Sequence, residues 1–125
     1  MQFGEYFKTL RKNKKYTQKD IAQAIGKCPM YVSGVESGKN GSFNEADLET
    51  IANFMCLSDE EKNDLVREAC LSRNKLPEEM TEYFLKEDNA FALATTLWKE
   101  GYTPEMLRRI LNYINIMGDT TKNAL

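Results

Sequence analysis

The sequence predicts an all-α chain in which a five-helix module is followed by a small helical C-terminal module. Three observations predict it. Apolar residues recur at helical spacing from Phe3 to Met117. Helix start signals precede these stripes, among them Thr17, Ser58 with Glu61, and Thr103-Pro104, and Gly26, Gly38 and Gly101 follow them as stops. One polar, proline-terminated break, Ser72-Arg73-Asn74-Lys75-Leu76-Pro77, interrupts the pattern. The expected organisation is therefore a first module over 1–71, a hinge over 72–76, a second module over 77–118 and a polar, disordered tail over 119–125. At 125 residues, 42% of them apolar, the chain has material for a core but not a large one, and oligomerisation would help it.

The first helix is expected from Phe3, Phe7 and Leu10, spaced i, i+4, i+7, and ends near Asn13 with Lys14 and Lys15 in the turn. Thr17 caps a second helix, with Gln18, Lys19 and Asp20 in its first turn and Ile21, Ala22 and Ile25 on its apolar side. Gly26 can take the positive φ that stops this helix, and Pro29 suits the first turn of the next, where its missing N–H has no intrahelical partner to lose. The third helix spans Pro29 to Ser37. Steps of 100° per residue put Val32 and Val35 inward with Glu36 alongside, Met30, Ser33, Gly34 and Ser37 outward, and Tyr31 on the flank. Two short helices joined by so few residues form a helix-turn-helix, the geometry that presents a second helix to a DNA major groove.

A loop over 39–43 leads to a fourth helix at Asn44, with Leu48, Ile51, Ala52 and Met55 inward, and Ser58 with Glu61 opens a fifth carrying Leu65, Val66 and Ala69. In the second module a sixth helix starts at Pro77 with Met80, Tyr83 and Phe84 on one face. A seventh, capped by Asn89, turns Phe91, Ala94, Leu97 and Trp98 inward. Phe91, Trp98 and Tyr102 suit a small-molecule pocket, but aromatics at helical spacing are more often core. The eighth helix runs from Pro104 to Met117. Its apolar arc is wider than one neighbour covers, so it is sandwiched either in its own bundle or, the favoured reading, in a dimer interface of Leu107, Ile110, Leu111, Ile114 and Met117.

Charge is divided unevenly along the chain. Up to Asn40 there are eight Lys and Arg against three Asp and Glu, net +5, which leaves net −7 for the remainder of a chain of net charge −2. Arg11, Lys12, Lys14, Lys15 and Lys19 crowd beside the helix-turn-helix and read as a patch that faces phosphates. The sequence has no histidine, which removes Ser-His and Cys-His nucleophiles, and Cys28, Cys56 and Cys70 stand too far apart for a zinc pattern. The chain is accordingly expected to be no enzyme and to hold no metal or cofactor. Paired carboxylates such as Glu60/Glu61 and Glu78/Glu79 fall in first helical turns, where capping and the helix dipole explain them. No apolar run is long enough for a membrane span and MQFGEYFKTLRK lacks a signal-peptide stretch, so no membrane association and a cytoplasmic location are expected.

Gly4, Leu10, Arg11, Thr17-Gln18, Ile21-Ala22, Gly26, Val32-Ser33, Glu36, Gly38 and Lys39 together resemble the phage-repressor or Cro-like (xenobiotic-response-element) helix-turn-helix family, over Phe3 to about Leu57. The resemblance implies a lambda-repressor-like fold for the five-helix module. It also implies phosphate contacts from Gln18 and Lys39 and an ion pair between Arg11 and Glu36. The later stretch, from Leu57 to Phe84, is similar to small regulators of Gram-positive mobile elements. The departure from the family lies in its base-reading positions, here Pro29, Met30, Ser33 and Gly34. Bidentate reading of G or A needs Arg, Lys, Asn or Gln, and Lys27 is the nearest long donor. Met30 suits a thymine methyl, Ser33 one hydrogen bond and Tyr31 a phosphate or sugar, unless Met30 and Tyr31 pack on a protein surface instead.

Two functions follow as expectations. The first is a DNA-binding transcriptional regulator, a homodimeric repressor on a roughly palindromic operator in double-stranded DNA. In the alternative, the acidic C-terminal module is the effector of a protein-binding inhibitor or antitoxin-like protein, and the helix-turn-helix serves autoregulation or scaffolding.

Overall fold

A computed structural model describes residues 2–124, with side chains as far as Gly118. Among the described residues there are eight helices and no strand. The chain divides into two units at Pro77/Glu78.

The first unit holds α1 (Phe3–Asn13), α2 (Gln18–Ala24), α3 (Pro29–Ser37), α4 (Glu45–Phe54) and α5 (Asp59–Arg73). Local chemistry sets the ends of these helices. Thr17 and Asp20 form a reciprocal capping box on α2, as Ser58 and Glu61 do on α5. The Asn44 side chain accepts from Asp47 N–H at 2.8 Å to open α4. Gly26 at φ +69° stops the chain after α2, and Gly38 at φ +87° closes α3. The inward residues expected of α2, α3 and α4 are the ones buried: Ile21 and Ala22, Val32 and Val35, then Leu48, Ile51, Ala52 and Met55.

Phe43, which lies in the loop before α4 and has no place in any stripe, is fully buried at the centre of this core. Its ring stands edge-on to Phe7 at 4.9 Å and to Phe3 at 5.9 Å, and lies 6.1 Å from Tyr31. Gly4 lets α1 lie directly on the last turn of α3, since a Cβ there would come 2.5 Å from the carbonyl oxygens of both Val35 and Glu36. The expected hinge over 72–76 is partly helix. Ser72 and Arg73 belong to α5, which stops only when Asn74 turns left-handed at φ +56°. Arg73 donates to Ser42 Oγ at 3.0 Å and to the Phe43 carbonyl, so the end of α5 pins the loop that delivers Phe43.

The second unit holds α6 (Glu78–Lys86), α7 (Asp88–Lys99) and α8 (Pro104–Ala124). Pro77 stands just before α6 rather than in it. Glu87, not Asn89, caps α7, its carboxylate accepting from Asn89 N–H at 3.4 Å. α6 and α7 pack on each other, whereas α8 packs against no other helix among the described residues. The one buried apolar side chain of this unit among the described residues is Ala90, 8% exposed. Phe91 and Trp98, expected to point inward, are 53% and 78% exposed, because Ala90, Ala94 and Leu97 supply the face toward α6 and leave the two rings on the flank. α8 does not stop before Gly118 but continues to Ala124, a glycine inside a helix costing only about 1 kcal/mol. The tail expected over 119–125 is thus helical to Ala124 along its backbone; its side chains and Leu125 lie outside the described residues.

Candidate nucleic-acid interface

α3 shows two different sides. Val32, Val35 and Glu36 are buried against the rest of the unit, while Pro29, Met30, Ser33 and Ser37 face solvent, Met30 at 81% exposure. An apolar side chain so far out of the core is free to meet a ligand of this helix. Tyr31 is half-buried against Phe43, with the Lys27 ammonium 4.7 Å from its ring centroid. Gly34 is half-buried too, under the loop that follows the helix: Asn40 N–H donates to the Gly34 carbonyl at 3.0 Å and its side-chain amide to the Tyr31 carbonyl at 3.4 Å. A Cβ on Gly34 would fall on that amide. The outward face expected of Gly34 is thus partly covered by the chain's own loop.

A buried ion pair fixes the inner side of α3. Arg11 and Glu36, 6% and 8% exposed, meet through two hydrogen bonds, Nε to Oε2 at 2.7 Å and Nη2 to Oε1 at 2.9 Å. Arg11 Nη1 donates to the Tyr16 carbonyl at 2.8 Å, and Gln18 Nε2 donates to Glu36 Oε1 at 3.1 Å. Four parts of the fold, α1, the turn after it, the start of α2 and the end of α3, are thereby joined at one carboxylate–guanidinium fork. The hydrogen bond from Arg11 to Glu36 raises the guanidinium pKa further, against the opposing effect of burial.

Two other cations expected at the interface, Lys27 and Lys14, are already engaged. Lys27 contacts the Asp47 carboxylate at 2.5 Å, tying the turn between α2 and α3 to the start of α4, and this hydrogen bond raises the lysine pKa. Lys14 pairs with Glu61 at 2.8 Å, joining the end of α1 to the start of α5, and holds the Glu61 carboxyl below its ordinary range. Asp20 is lowered as well, by the Thr17 N–H it accepts. Among the described residues Lys8, Lys12, Lys15, Lys19 and Lys39 have no carboxylate partner and stand exposed. Sequence spacing signals neither Asp47, twenty residues beyond its partner, nor Asn40, whose role depends on the chain doubling back after Gly38.

The expected dimer residues lie on α8 in the other unit. Leu107, Leu111, Ile114 and Met117 are exposed and Ile110 is half-buried. Among the described residues no helix is long and apolar enough to cross a membrane.

Residues 2–65 match a protein family described as a helix-turn-helix domain. No curated protein and no solved structure matches the chain. Since the family match ends within α5, the similarity of the later stretch to regulators of Gram-positive mobile elements is without support.

Proposed function

The chain belongs to the helix-turn-helix domain family, and on that premise we propose that it is a DNA-binding transcriptional regulator, a homodimeric repressor of a roughly palindromic operator. The observation that carries this reading is the division of α3 into a braced inner side and an exposed edge of Pro29, Met30 and Ser33, in a unit whose Lys15, Lys19 and Lys39 are exposed with no carboxylate partner among the described residues. Lys15, Lys19 and Lys39 take phosphates, with Gln18 placed by its bond to Glu36 so that its second amide hydrogen remains available. The backbone N–H groups of Gln18 and Lys19 add the partial positive charge of a helix start, since the first intrahelical bond of α2 runs from Ile21 N–H to the Thr17 carbonyl. Lys14 joins them when phosphate displaces Glu61.

In the groove Met30 contacts a thymine methyl and Ser33 makes one hydrogen bond. Lys27 and Tyr31 are held by Asp47 and by each other, so they act at the groove edge rather than as free readers. With so few base contacts, discrimination rests on DNA shape and on the spacing of two recognition helices about one turn, ~34 Å, apart. The reading in which the acidic unit is the effector is favoured by no feature of the described residues.

Anisotropy titrations against the DNA upstream of the chain's own gene, at several salt concentrations, test this reading. Gln18→Ala should weaken binding to all sequences alike, and Lys39→Ala should also reduce the salt slope by about 1, whereas Met30→Ala should change which sequence is preferred. Equal affinity for the upstream site and for scrambled DNA at moderate salt would refute the proposal.

A further inference from the structure

The second unit leaves apolar side chains uncovered on α8 and on the α6–α7 hairpin. Met106, Leu107, Leu111, Tyr113, Ile114 and Met117 are exposed along α8, which packs against no other helix among the described residues. A long uncovered apolar stripe is what a subunit interface covers, a standard one burying ~800 Å² per partner. The α6–α7 hairpin exposes a second apolar set in Tyr83, Phe91 and Trp98. Among the described residues its own α8 does not pack on it; Gly101 at φ +61° ends the chain's run after α7, and α8 begins at Pro104.

The two surfaces are complementary in charge as well. Residues 78–99 carry five acids against Lys86 and Lys99, net −3, while residues 104–118 carry Arg108 and Arg109 against Glu105, net +1. We infer that α8 of one copy lies across the α6–α7 hairpin of a second copy, and that the exchange is mutual. A two-fold arrangement forms this contact twice, with the same residues on each side, and covers both apolar sets at once. The inference rests on the dimeric regulator proposed above and specifies what holds the dimer together.

Sedimentation equilibrium of the full chain tests it. The wild type should be a dimer. Reversing the helix (Arg108→Glu with Arg109→Glu) and reversing the hairpin (Glu79→Lys with Glu82→Lys) should each weaken dimerisation about tenfold. An equimolar mixture of the two variants should recover a heterodimer about tenfold tighter than either variant alone, because each reversed helix then meets a reversed hairpin. All four side chains are exposed, so the far-ultraviolet circular dichroism of each variant should match the wild type when both are monomeric. Leu111→Glu should leave the first unit folded and the chain monomeric.

A hairpin-reversed variant that dimerises as tightly as the wild type would overturn the exchange in favour of α8 pairing with α8. Failure of the mixture to recover, or a wild type that stays monomeric, would overturn it too. Anisotropy on the same samples separates the two readings. A monomer that still prefers its operator sinks the exchange alone, whereas an exchanged dimer indifferent to DNA sequence sinks the regulator alone.

Discussion

The two units are made of the same kind of helix and differ in what their apolar faces meet. In the first, Phe7, Ile21, Val32, Phe43, Ile51 and Leu65 are wholly withdrawn from water. In the second, Ala90 is the one buried apolar side chain among the described residues, while Trp98, Tyr113 and Ile116 lie open. A stripe at helical spacing forecasts a helix and its sticky face equally well in both units, yet it carries no information on where the matching surface lies. The first unit closes on itself because its stripes meet one another around a ring supplied by a loop, that of Phe43. The second has stripes alone.

Deleting interior groups should separate the units most sharply. Phe43→Ala removes a buried aromatic ring and should cost the first unit about 3–5 kcal/mol. Glu36→Ala strands the Arg11 guanidinium in the interior and should cost a similar ~3–5 kcal/mol. Trp98→Ala, in contrast, should move the urea transition of the first unit by less than about 0.5 kcal/mol. A Trp98→Ala effect as large as that of Phe43→Ala would abolish the distinction drawn between the units.

Two glycines sharpen the point within the first unit. Gly4→Ala drives a methyl into the backbone carbonyls of Val35 and Glu36 and should destabilise by about 1–3 kcal/mol. Gly34→Ala meets only the end of the Asn40 side chain, which can swing aside at the loss of a 3.4 Å hydrogen bond, so the helix preference for alanine should raise stability by up to about 1 kcal/mol. Thermal melts of the two variants in opposite directions would establish that the first glycine is fixed by packing and the second is not.

The smallest effect is that of acid. Asp20 and Glu61 both have folded pKa values below their ordinary ones. Their contribution is therefore present above the ordinary carboxylate range, about pH 4, and is lost as pH falls through the lowered values. Stability of the first unit should be flat from pH 7 to 5 and decline below about pH 4, and Asp20→Asn with Glu61→Gln should flatten that decline. An unchanged slope in the double variant would remove the two caps from the account.

How much of this could be read from the sequence follows the reach of each interaction. The start of α2 and both ends of α3 are legible to within a residue or so, because Thr17, Pro29 and Gly38 act within four positions of the ends they set. The inner faces of α2, α3 and α4 were legible from period alone. Phe43 was not, since a loop has no period and its burial depends on Phe3 and Phe7 arriving from forty residues away. The engagement of Lys27 by Asp47 and of Lys14 by Glu61 was hidden for the same reason, and it alters the interface by leaving a smaller set of lysines without a carboxylate partner. In the second unit a wide apolar arc does not say which part of it faces the neighbour, and it is Ala90, buried, and Ala94, half-buried, not Phe91 and Trp98, that are withdrawn from water there.

The turn after α3 has a mechanical consequence. Lys39 is flanked by Gly38, whose N–H is bound to the Val35 carbonyl, and by Asn40, bound twice to α3. It is a short lever pinned to the helix on both sides, so on the proposed reading a pull on its ammonium from a DNA strand would turn α3 as a rigid piece instead of unravelling its end. Exchanging residues 30 and 33 should then leave the proposed docking pose unchanged, which would make this helix a convenient cassette for altered operator preference.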